Sequence, residues 1–482
     1  MDFLTKSKFK FLVFLLLLFS LLYGNNSPLY DQDEAAYMGF SKSIVTSGDI
    51  LKMDFPFSKP HRKPPLHFWL TSIQFYLFGI SEFVLRLLPS IYILLTVCLT
   101  YLLGKRLFGE EVGVFSAILL GFSLYFPLNG KIALVDSLLV FCETLGFVSL
   151  VFWILEKNSS AKLFFWLSIS LGTLAKGPPI LIFLGGICFV LLFRKDTRSL
   201  VWSLHPFVYL PIALLPFSLW ILFVWKSTNG ELVQWMWEWY VLRRATNPVF
   251  GQSGPPGTYF ILFFIGLFPW SFYLFGFWMR IFRATKEWIR TNVVSFQNIW
   301  KVVQTSDIKV FLLAVGLFFS WIFYEFLASK LPSYPLAAYP ILSIVLSHYI
   351  LKFKNNKKII QTFMMASVFI SLSISIFLLP YLNKFREDTL FLSRDLNKLL
   401  PGNTNVFVNK NLALPSLAVY SHVAFSETDP IFNPEKGFYL ITQDELVLWQ
   451  SLGYSYEVLM DKKSVFAYDR NKTIHILLVK KN

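Results

Sequence analysis

The chain has 482 residues, 55% of them apolar and 18% aromatic, with only 15% charged and a mean hydropathy of +0.55. That balance excludes a disordered chain, a disulfide-rich secreted scaffold and an ordinary soluble enzyme, in which roughly a quarter of residues are charged. The formal charge of +15 would suggest nucleic acid in a soluble protein, so here it must first be placed on a membrane topology.

A spanning helix needs about 20 mostly apolar residues. Apolar runs lie at 9–24, 84–104, 112–129, 134–155, 163–175, 179–193, 205–225, 258–278, 310–328, 335–351 and 360–380, which predicts about eleven transmembrane helices. The first follows Lys6, Lys8 and Lys10 in the manner of a signal peptide. Asn25-Asn26-Ser27 lacks a small-residue cleavage pattern, however, so the run reads as a retained helix. Runs 163–175 and 179–193 are short and read as two tilted spans or as a re-entrant pair. Residues 25–83 form a large first outside loop, in which 66–70 and 75–78 read as an amphipathic helix at the interface. Residues 226–257 form a second large outside loop.

The membrane domain is expected to occupy 1–381, followed by a soluble tail at 382–482. Strand-like runs at 406–408, 437–441, 465–468 and 474–479 alternate there with helical ones at 390–400 and 444–452. The expected fold class is an all-α polytopic membrane protein with a small C-terminal α/β domain of about four strands.

With the N-terminus in the cytoplasm, inside segments carry a net +13, outside loops +3 and the tail +1, and the mid-span acids Glu143 and Glu325 supply −2. This is the positive-inside pattern, so the basic excess is a topology signal and not a nucleic-acid footprint. The tail then lies outside. Cys98, Cys142 and Cys188 sit in apolar runs without zinc spacing and read as packing residues, with no disulfide expected.

Polar residues with chemical potential gather in the outside segments. Asp31, Asp33 and Glu34 precede Tyr37 in the first loop. They read either as a helix N-terminus, with acids favoured by the dipole, or as a base or metal ligand. Lys59, His61, Arg62 and Lys63 precede Pro64-Pro65, whose stiffness sets the entry angle of the interfacial helix. Such cations either snorkel or bind a lipid phosphate. Lys131 and Asp136 flank the fourth span, and Lys176-Gly177-Pro178-Pro179 makes a tight turn. Lys330 and Tyr334 lie in Ser329–Pro335, and Arg243-Arg244 follow three tryptophans in the second loop. Arginine there could clamp phosphate bidentately. Together these groups suit a substrate that is a lipid with an anionic head.

The ordered landmarks Asp33-Glu34 with Tyr37, Ser47-Gly48-Asp49, Lys63-Pro64-Pro65-Leu66 with Trp69, Phe78-Gly79 with Glu82 and Arg86, Asp136, Lys176-Gly177-Pro178, Phe268-Pro269-Trp270-Ser271 and Lys330-Leu331-Pro332 with Tyr334 carry a resemblance. Across 9–350 the chain resembles the GT-C glycosyltransferases of the aminoarabinose-transferase and protein-mannosyltransferase type. The resemblance implies a GT-C fold in a bacterial inner membrane. It also implies transfer of a sugar from a polyprenyl-phosphate donor to lipid A, another envelope glycan or a protein.

By the same resemblance Asp33 is the principal acid, with Glu34 beside it, and Asp136 is the second acid. Lys63 meets the donor phosphate; Arg62, Lys330, Tyr334, Arg243 and Arg244 are further donor-site candidates, with Tyr37, Lys131 and Lys176 nearby. Two departures concern metal. Arg62 stands where aminoarabinose transferases carry Glu, and Gln252 is the best counterpart of their second-loop His. Both family residues are associated with zinc, so zinc is not expected; a divalent cation remains compatible with the acids.

The implied chemistry is an inverting displacement with a polyprenyl phosphate leaving group. For a hydroxyl acceptor Asp33 is the base; for a phosphate acceptor, already anionic, it orients the acceptor or binds a cation. The rival classes are a transporter or flippase of lipid-linked sugars and a non-catalytic envelope scaffold. Glu143 and Glu325 are the clear mid-span acids and no inverted repeat is visible, which favours the enzyme.

Overall fold

The computed structural model describes residues 4–30, 33–51, 53, 55–58, 63–247, 252–291, 295–352, 357–383, 387–409, 412, 414–428, 435–467 and 472–481. It is a helical bundle with a small mixed sheet at the C-terminus. The bundle elements are α1 (Ser7–Leu22), α2 (Asp33–Ser47), α3 (Leu66–Phe78), α4 (Glu82–Phe108), α5 (Glu110–Gly121), α6 (Val135–Glu156) and α7 (Ser159–Lys176). They continue as α8 (Leu181–Leu191), α9 (Pro206–Ser227), α10 (Thr258–Gly266), α11 (Ser271–Thr291), α12 (Ile308–Glu325), α13 (Tyr334–Leu351) and α14 (Lys358–Asn383).

Six of these, α4, α6, α9, α12, α13 and α14, are long and apolar enough to cross a membrane, among the described residues. The other expected spans are shorter, broken or more polar. The run 258–278 divides at 267–270 between α10 and α11, and 112–129 becomes the 12-residue α5 followed by a 3-10 turn at Phe126–Gly130. Within the pair at 163–193, α7 is a full 18-residue helix and α8 opens with a π turn at Leu181–Gly185.

Burial sorts the six. In α6, 78% of the most apolar window is buried inside the protein, against 17% in α9 and 22% in α14. Thus α6 is the central helix, packed by α7 and α4, while α9 and α14 turn most of their apolar surface outward. One core cluster ties Leu21, Ile93, Phe115, Cys142, Phe165, Leu184, Trp270 and Tyr339 together. Close helix approach needs small residues: a Cβ on Gly113 of α5 would stand 2.7 Å from the Tyr101 carbonyl oxygen of α4. All three cysteines are free thiols.

Local signals explain the element ends near the site. Asp33 and Glu34 occupy the first turn of α2. The Pro64-Pro65 pair leads directly into α3, which runs unbroken through both short runs read from sequence. Ser81 caps α4 by accepting from the Val84 amide. Lys176 ends α7, and Gly177 takes the left-handed φ of +82° that turns the chain into Pro178-Pro179.

The tail holds α15 (Glu387–Leu399), α16 (Pro415–Tyr420) and α17 (Gln443–Ser451) on a sheet of β1 (Asn405–Val408), β2 (Ala424–Glu427), β3 (Gly437–Thr442), β4 (Tyr456–Ala467) and β5 (Lys472–Lys481). The strand order is β2-β1-β3-β5-β4, parallel through β2-β1-β3 and antiparallel beyond. That is one strand more than the sequence reading expected. β2 is short with no fully buried residue, so it carries no apolar pattern. Alternation sorts the faces: Leu440, Ile476 and Leu478 pack under Leu392 and Leu396, while Tyr439, Ile441, Leu477 and Val479 meet Leu446 and Trp449.

The tail docks on the first loop. Val419 and Tyr420 of α16 pack in a cluster with Leu29, Met38, Phe75, Val84 and Leu85. The Tyr420 hydroxyl accepts from the Leu29 amide at 3.0 Å and donates to Glu82 at 2.9 Å. Tail and first loop therefore share one end of the bundle.

Candidate active site

Four pieces of chain converge at that end: the start of α2, the segment before α3, the start of α6 and the end of α7. Glu34 is wholly buried and forms a bidentate pair with Arg86 of α4, at 2.8 Å to Nε and 2.7 Å to Nη2. Each carboxylate oxygen takes a second donor, the Ala133 amide at 2.8 Å and the Tyr30 amide at 2.9 Å. All four lone-pair positions are then used. Arg86 spends its remaining donors on the carbonyls of Asn25, Ser27 and Pro28 and on the Ser27 hydroxyl. This revises the expectation for Glu34. It is a strut joining α2, α4 and the entry to α6, with no lone pair left for a substrate.

Asp33, one residue earlier, is exposed, and among the described residues no hydrogen bond or ion pair occupies it. The strut fixes the helix that presents it. Tyr37, one turn on, is buried with its ring edge-on to Phe68 and tilted against His67.

Asp136 lies in the first turn of α6 and receives the Lys176 ammonium at 2.5 Å. Both side chains keep some exposure, 13% and 15%. Lys63 and Ser333 also face this carboxylate. The Lys63 ammonium stands 4.5 Å from the centroid of the Tyr240 ring, so the second large loop reaches over it. Two cations and one acid thus meet beside the helix that carries Asp33. Such a cluster can hold an anionic head and stabilise charge that develops on it.

Other expected residues make contacts of their own. The Lys330 ammonium is buried on the carbonyl oxygens of Tyr324 and Glu325, at 3.1 and 2.5 Å, with the Glu325 carboxylate at 3.8 Å. Burial lowers its pKa below the ordinary lysine range, and Glu325 opposes that shift. This also revises an expectation: Lys330 caps the C-terminal end of α12, where helix carbonyls attract a cation. Tyr334 is half-buried with its ring 5.5 Å from that of Tyr324.

Arg243 is half-exposed, pairs with Glu238 at 2.7 Å and lies over Trp239. The side chain of Arg244 is outside the described set, and Asp31, Lys59, His61 and Arg62 lie outside the described residues. Lys131 donates to the Tyr23 carbonyl at 2.8 Å; burial, then Arg86, lowers it to about 8. Among the described residues no three His, Cys, Asp or Glu side chains gather. The Gln252 carbonyl accepts the Lys330 amide at 2.8 Å.

Three participants escaped the sequence reading of the site. Arg86 had a signal, because an arginine a few residues into an apolar span demands a partner. His67 is fully buried on α3 beside Tyr37 and within electrostatic reach of Asp136; burial pushes it down to about 4, with Asp136 pulling the other way. Tyr420 had no local signal, since its partners lie 338 and 391 residues away.

Comparison with known proteins finds similar sequences and a similar fold. The family model for dolichyl-phosphate-mannose-protein mannosyltransferases matches residues 62–223, which include Lys63, Asp136 and Lys176. An undecaprenyl phosphate-α-4-amino-4-deoxy-L-arabinose arabinosyl transferase of Proteus mirabilis is 24% identical over 338 residues, 67% of this chain and 56% of its own length. Its counterpart in Wigglesworthia glossinidia brevipalpis is 23% identical over 419 residues, 84% of this chain and 70% of its own. An uncharacterised protein of Aquifex aeolicus is 24% identical over 350 residues, and this chain spans 64% of its length. The chain thus spans between about half and two thirds of several curated relatives it matches.

The crystal structure of ArnT from Cupriavidus metallidurans bound to undecaprenyl phosphate superposes with a TM-score of 0.74 at 14% identity, covering 97% of each chain. The archaeal oligosaccharyltransferase AglB of Archaeoglobus fulgidus matches less closely, with a TM-score of 0.51, 94% of this chain and 69% of its own. By matched segment, relatives and fold together, this chain is similar to GT-C membrane proteins of the aminoarabinose-transferase and protein-mannosyltransferase type, and it shares the fold of ArnT.

Proposed function

We propose that this protein is a membrane glycosyltransferase that moves a sugar from a polyprenyl-phosphate donor to an acceptor at the extracytoplasmic face of the bacterial inner membrane. The observation that carries the reading is the meeting of Lys63, Lys176 and Asp136 beside the helix that presents Asp33. The relatives named for undecaprenyl-phosphate aminoarabinose transfer support the donor class, and the acceptor in this reading is lipid A, another envelope glycan or a protein. The N-terminus lies in the cytoplasm in this reading, with the tail and both large loops outside.

The acceptor oxygen attacks the anomeric carbon while the bond from that carbon to the phosphate oxygen breaks, with inversion. Negative charge grows on the departing polyprenyl phosphate, and Lys63 faces it. Lys176 holds Asp136 in place. With a hydroxyl acceptor the proton passes to Asp33, a contribution of roughly 10²–10⁴-fold. With a lipid A phosphate no proton needs to move, and Asp33 orients the acceptor.

Mass spectrometry of lipid A, envelope glycans and glycoproteins tests this in cells with the protein, without it, and with Asp33→Asn. A sugar present only with the wild type is expected. An identical profile in all three, with the protein expressed, would refute the transferase reading and leave transport of lipid-linked sugars as the better one.

A further inference from the structure

The end of the bundle away from the candidate site carries charge of its own. Helix α6 starts at the site and runs 22 residues to Glu156, which pairs with Arg106 at the close of α4. At 1.5 Å per residue the two ends stand about 33 Å apart, close to the thickness of a bilayer's hydrocarbon core. The helix Phe296–Thr305 is pinned at this far end. Arg194 donates to the Val303 carbonyl at 3.2 Å and to the Ser306 hydroxyl at 3.1 Å. The Gln304 amide donates to the Phe193 carbonyl at 2.8 Å, and Lys309 donates to the Leu107 carbonyl of α4 at 2.9 Å.

That helix and the second half of α11 are two-sided. In α11, Arg280, Arg283, Lys286 and Arg290 follow at steps of three or four residues and so share one face. Phe282 and Ile289, seven residues apart, lie on the other. In Phe296–Thr305 the apolar face is Phe296, Ile299, Trp300 and Val303, and the polar face is Gln297, Lys301 and Gln304. No residue of either stretch is buried, and Phe282, Ile289, Phe296 and Ile299 are 63%, 53%, 78% and 49% exposed. Five cations stand between 280 and 301 against one acid, Glu287. Among the described residues none of the five has an ion-pair partner.

We propose that α11 from Arg280 onward and the helix Phe296–Thr305 form a docking surface for anionic phospholipid headgroups in the leaflet at this end. Their apolar faces enter the boundary of the acyl chains while the basic ones meet the phosphates. Charge and apolar exposure together select this occupant. An acidic protein or a nucleic acid would answer the cations but leave Phe282, Ile289, Phe296 and Ile299 in water. A zwitterionic lipid would cover those side chains but leave five cations without counter-charge. In the proposed orientation this is the cytoplasmic leaflet. The surface is remote from Asp136 and Lys176, so it stands or falls apart from the transferase reading.

The test uses the full-length protein in detergent, titrated with fluorescent phosphatidylglycerol and phosphatidylcholine of the same acyl chains. The wild type is expected to bind phosphatidylglycerol more tightly by about tenfold or more, since each basic residue near a lipid surface contributes about fivefold. Arg283→Gln, Lys286→Gln and Arg290→Gln combined should shrink that preference about tenfold, whereas Arg283→Lys with Arg290→Lys should keep it. Raising salt from about 50 to about 500 mM should erode the preference of the wild type and barely change the triple variant. Phe296→Ser with Ile299→Ser should weaken both lipids alike. All these positions are exposed, so thermal midpoints should stay close to wild type. Equal affinity of the wild type for the two lipids, or a wild-type preference in the triple variant, overturns the proposal. Binding of a single-stranded oligonucleotide that phosphatidylglycerol fails to displace would assign the cations to a soluble polyanion and overturn it as well.

Discussion

The pairs Arg86–Glu34 and Lys176–Asp136 stand at the same end of the bundle, yet they differ in their surroundings. The first is sealed, at 1% and 0% side-chain exposure, and every carboxylate lone pair has a donor. The second is a single contact at 2.5 Å with exposure left on both partners and further charge and polarity at its edge from Lys63 and Ser333. A saturated pair can only hold structure. An unsaturated one can take part in chemistry, because a substrate oxygen still finds a donor there. Conspicuous acids are thus told apart by the count of their partners, which no spacing rule supplies.

The largest effect should come from breaking the sealed pair. Glu34→Gln leaves Arg86 charged, buried and unneutralised, which costs about 3–5 kcal/mol. Yield in the membrane and the thermal midpoint in detergent should both fall sharply, and activity would be lost with the fold. If Glu34→Gln retained its midpoint but lost turnover, the roles assigned to the two pairs would have to be exchanged.

Asp136→Asn and Lys176→Met should behave in the opposite sense. The remaining exposure of 13% and 15% screens this pair only in part, so stability should fall by less than for the sealed pair, on the order of 1–3 kcal/mol. Turnover should drop about 10²-fold, the usual loss when one preorganised electrostatic contact is removed from a site where charge develops. The decisive measurement is kcat beside the unfolding midpoint on the same preparations; two variants with full turnover would remove Asp136 and Lys176 from the site.

Legibility in the sequence follows the same division. The apolar runs reveal α4, α6, α9, α12, α13 and α14, because lipid and core both demand continuous apolar stretches. The break at 267–270 escapes a window average, since Phe, Pro and Trp keep the mean apolar across it. Motifs in the outside segments locate Asp33, Lys63, Asp136 and Lys176 as candidates but cannot say that Glu34 is saturated or that Lys330 turns onto helix carbonyls. Those facts depend on partners 52, 99, 5 and 6 residues away. Of these only the short separations were open to a sequence reading. In the tail, β2 shows no burial alternation and so leaves no periodic trace.

A smaller effect should follow from loosening the tail. Tyr420→Phe keeps the ring in its apolar cluster but removes the bonds to the Leu29 amide and to Glu82. At about 1 kcal/mol per bond the loss is modest, and it falls on the segment whose carbonyls hold Arg86. A several-fold decline in turnover with unchanged donor affinity would show that the tail sets the pose of α2. Wild-type turnover in Tyr420→Phe would reduce the tail to an independent module.

The last effect is a pH dependence of stability, and it probes the rim between the two pairs. Burial, then the nearby Arg86 charge, lowers Lys131 to about 8. In the unfolded chain a lysine titrates near about 10.4. Between those values the unfolded state binds the proton that the folded state has released, so stability should rise with pH across roughly 8 to 10.4 and stay level below about 8, where both states hold the proton. Lys131→Met removes the titration and leaves the Tyr23 carbonyl without its ammonium donor. The thermal midpoint of the wild type should therefore climb relative to Lys131→Met between about pH 8 and 10, and run parallel to it below pH 7. Parallel curves over the whole range would mean that Lys131 keeps an ordinary lysine pKa. The repulsion from Arg86 would then be negligible, and the sealed pair would be screened from its neighbours as fully as its burial suggests.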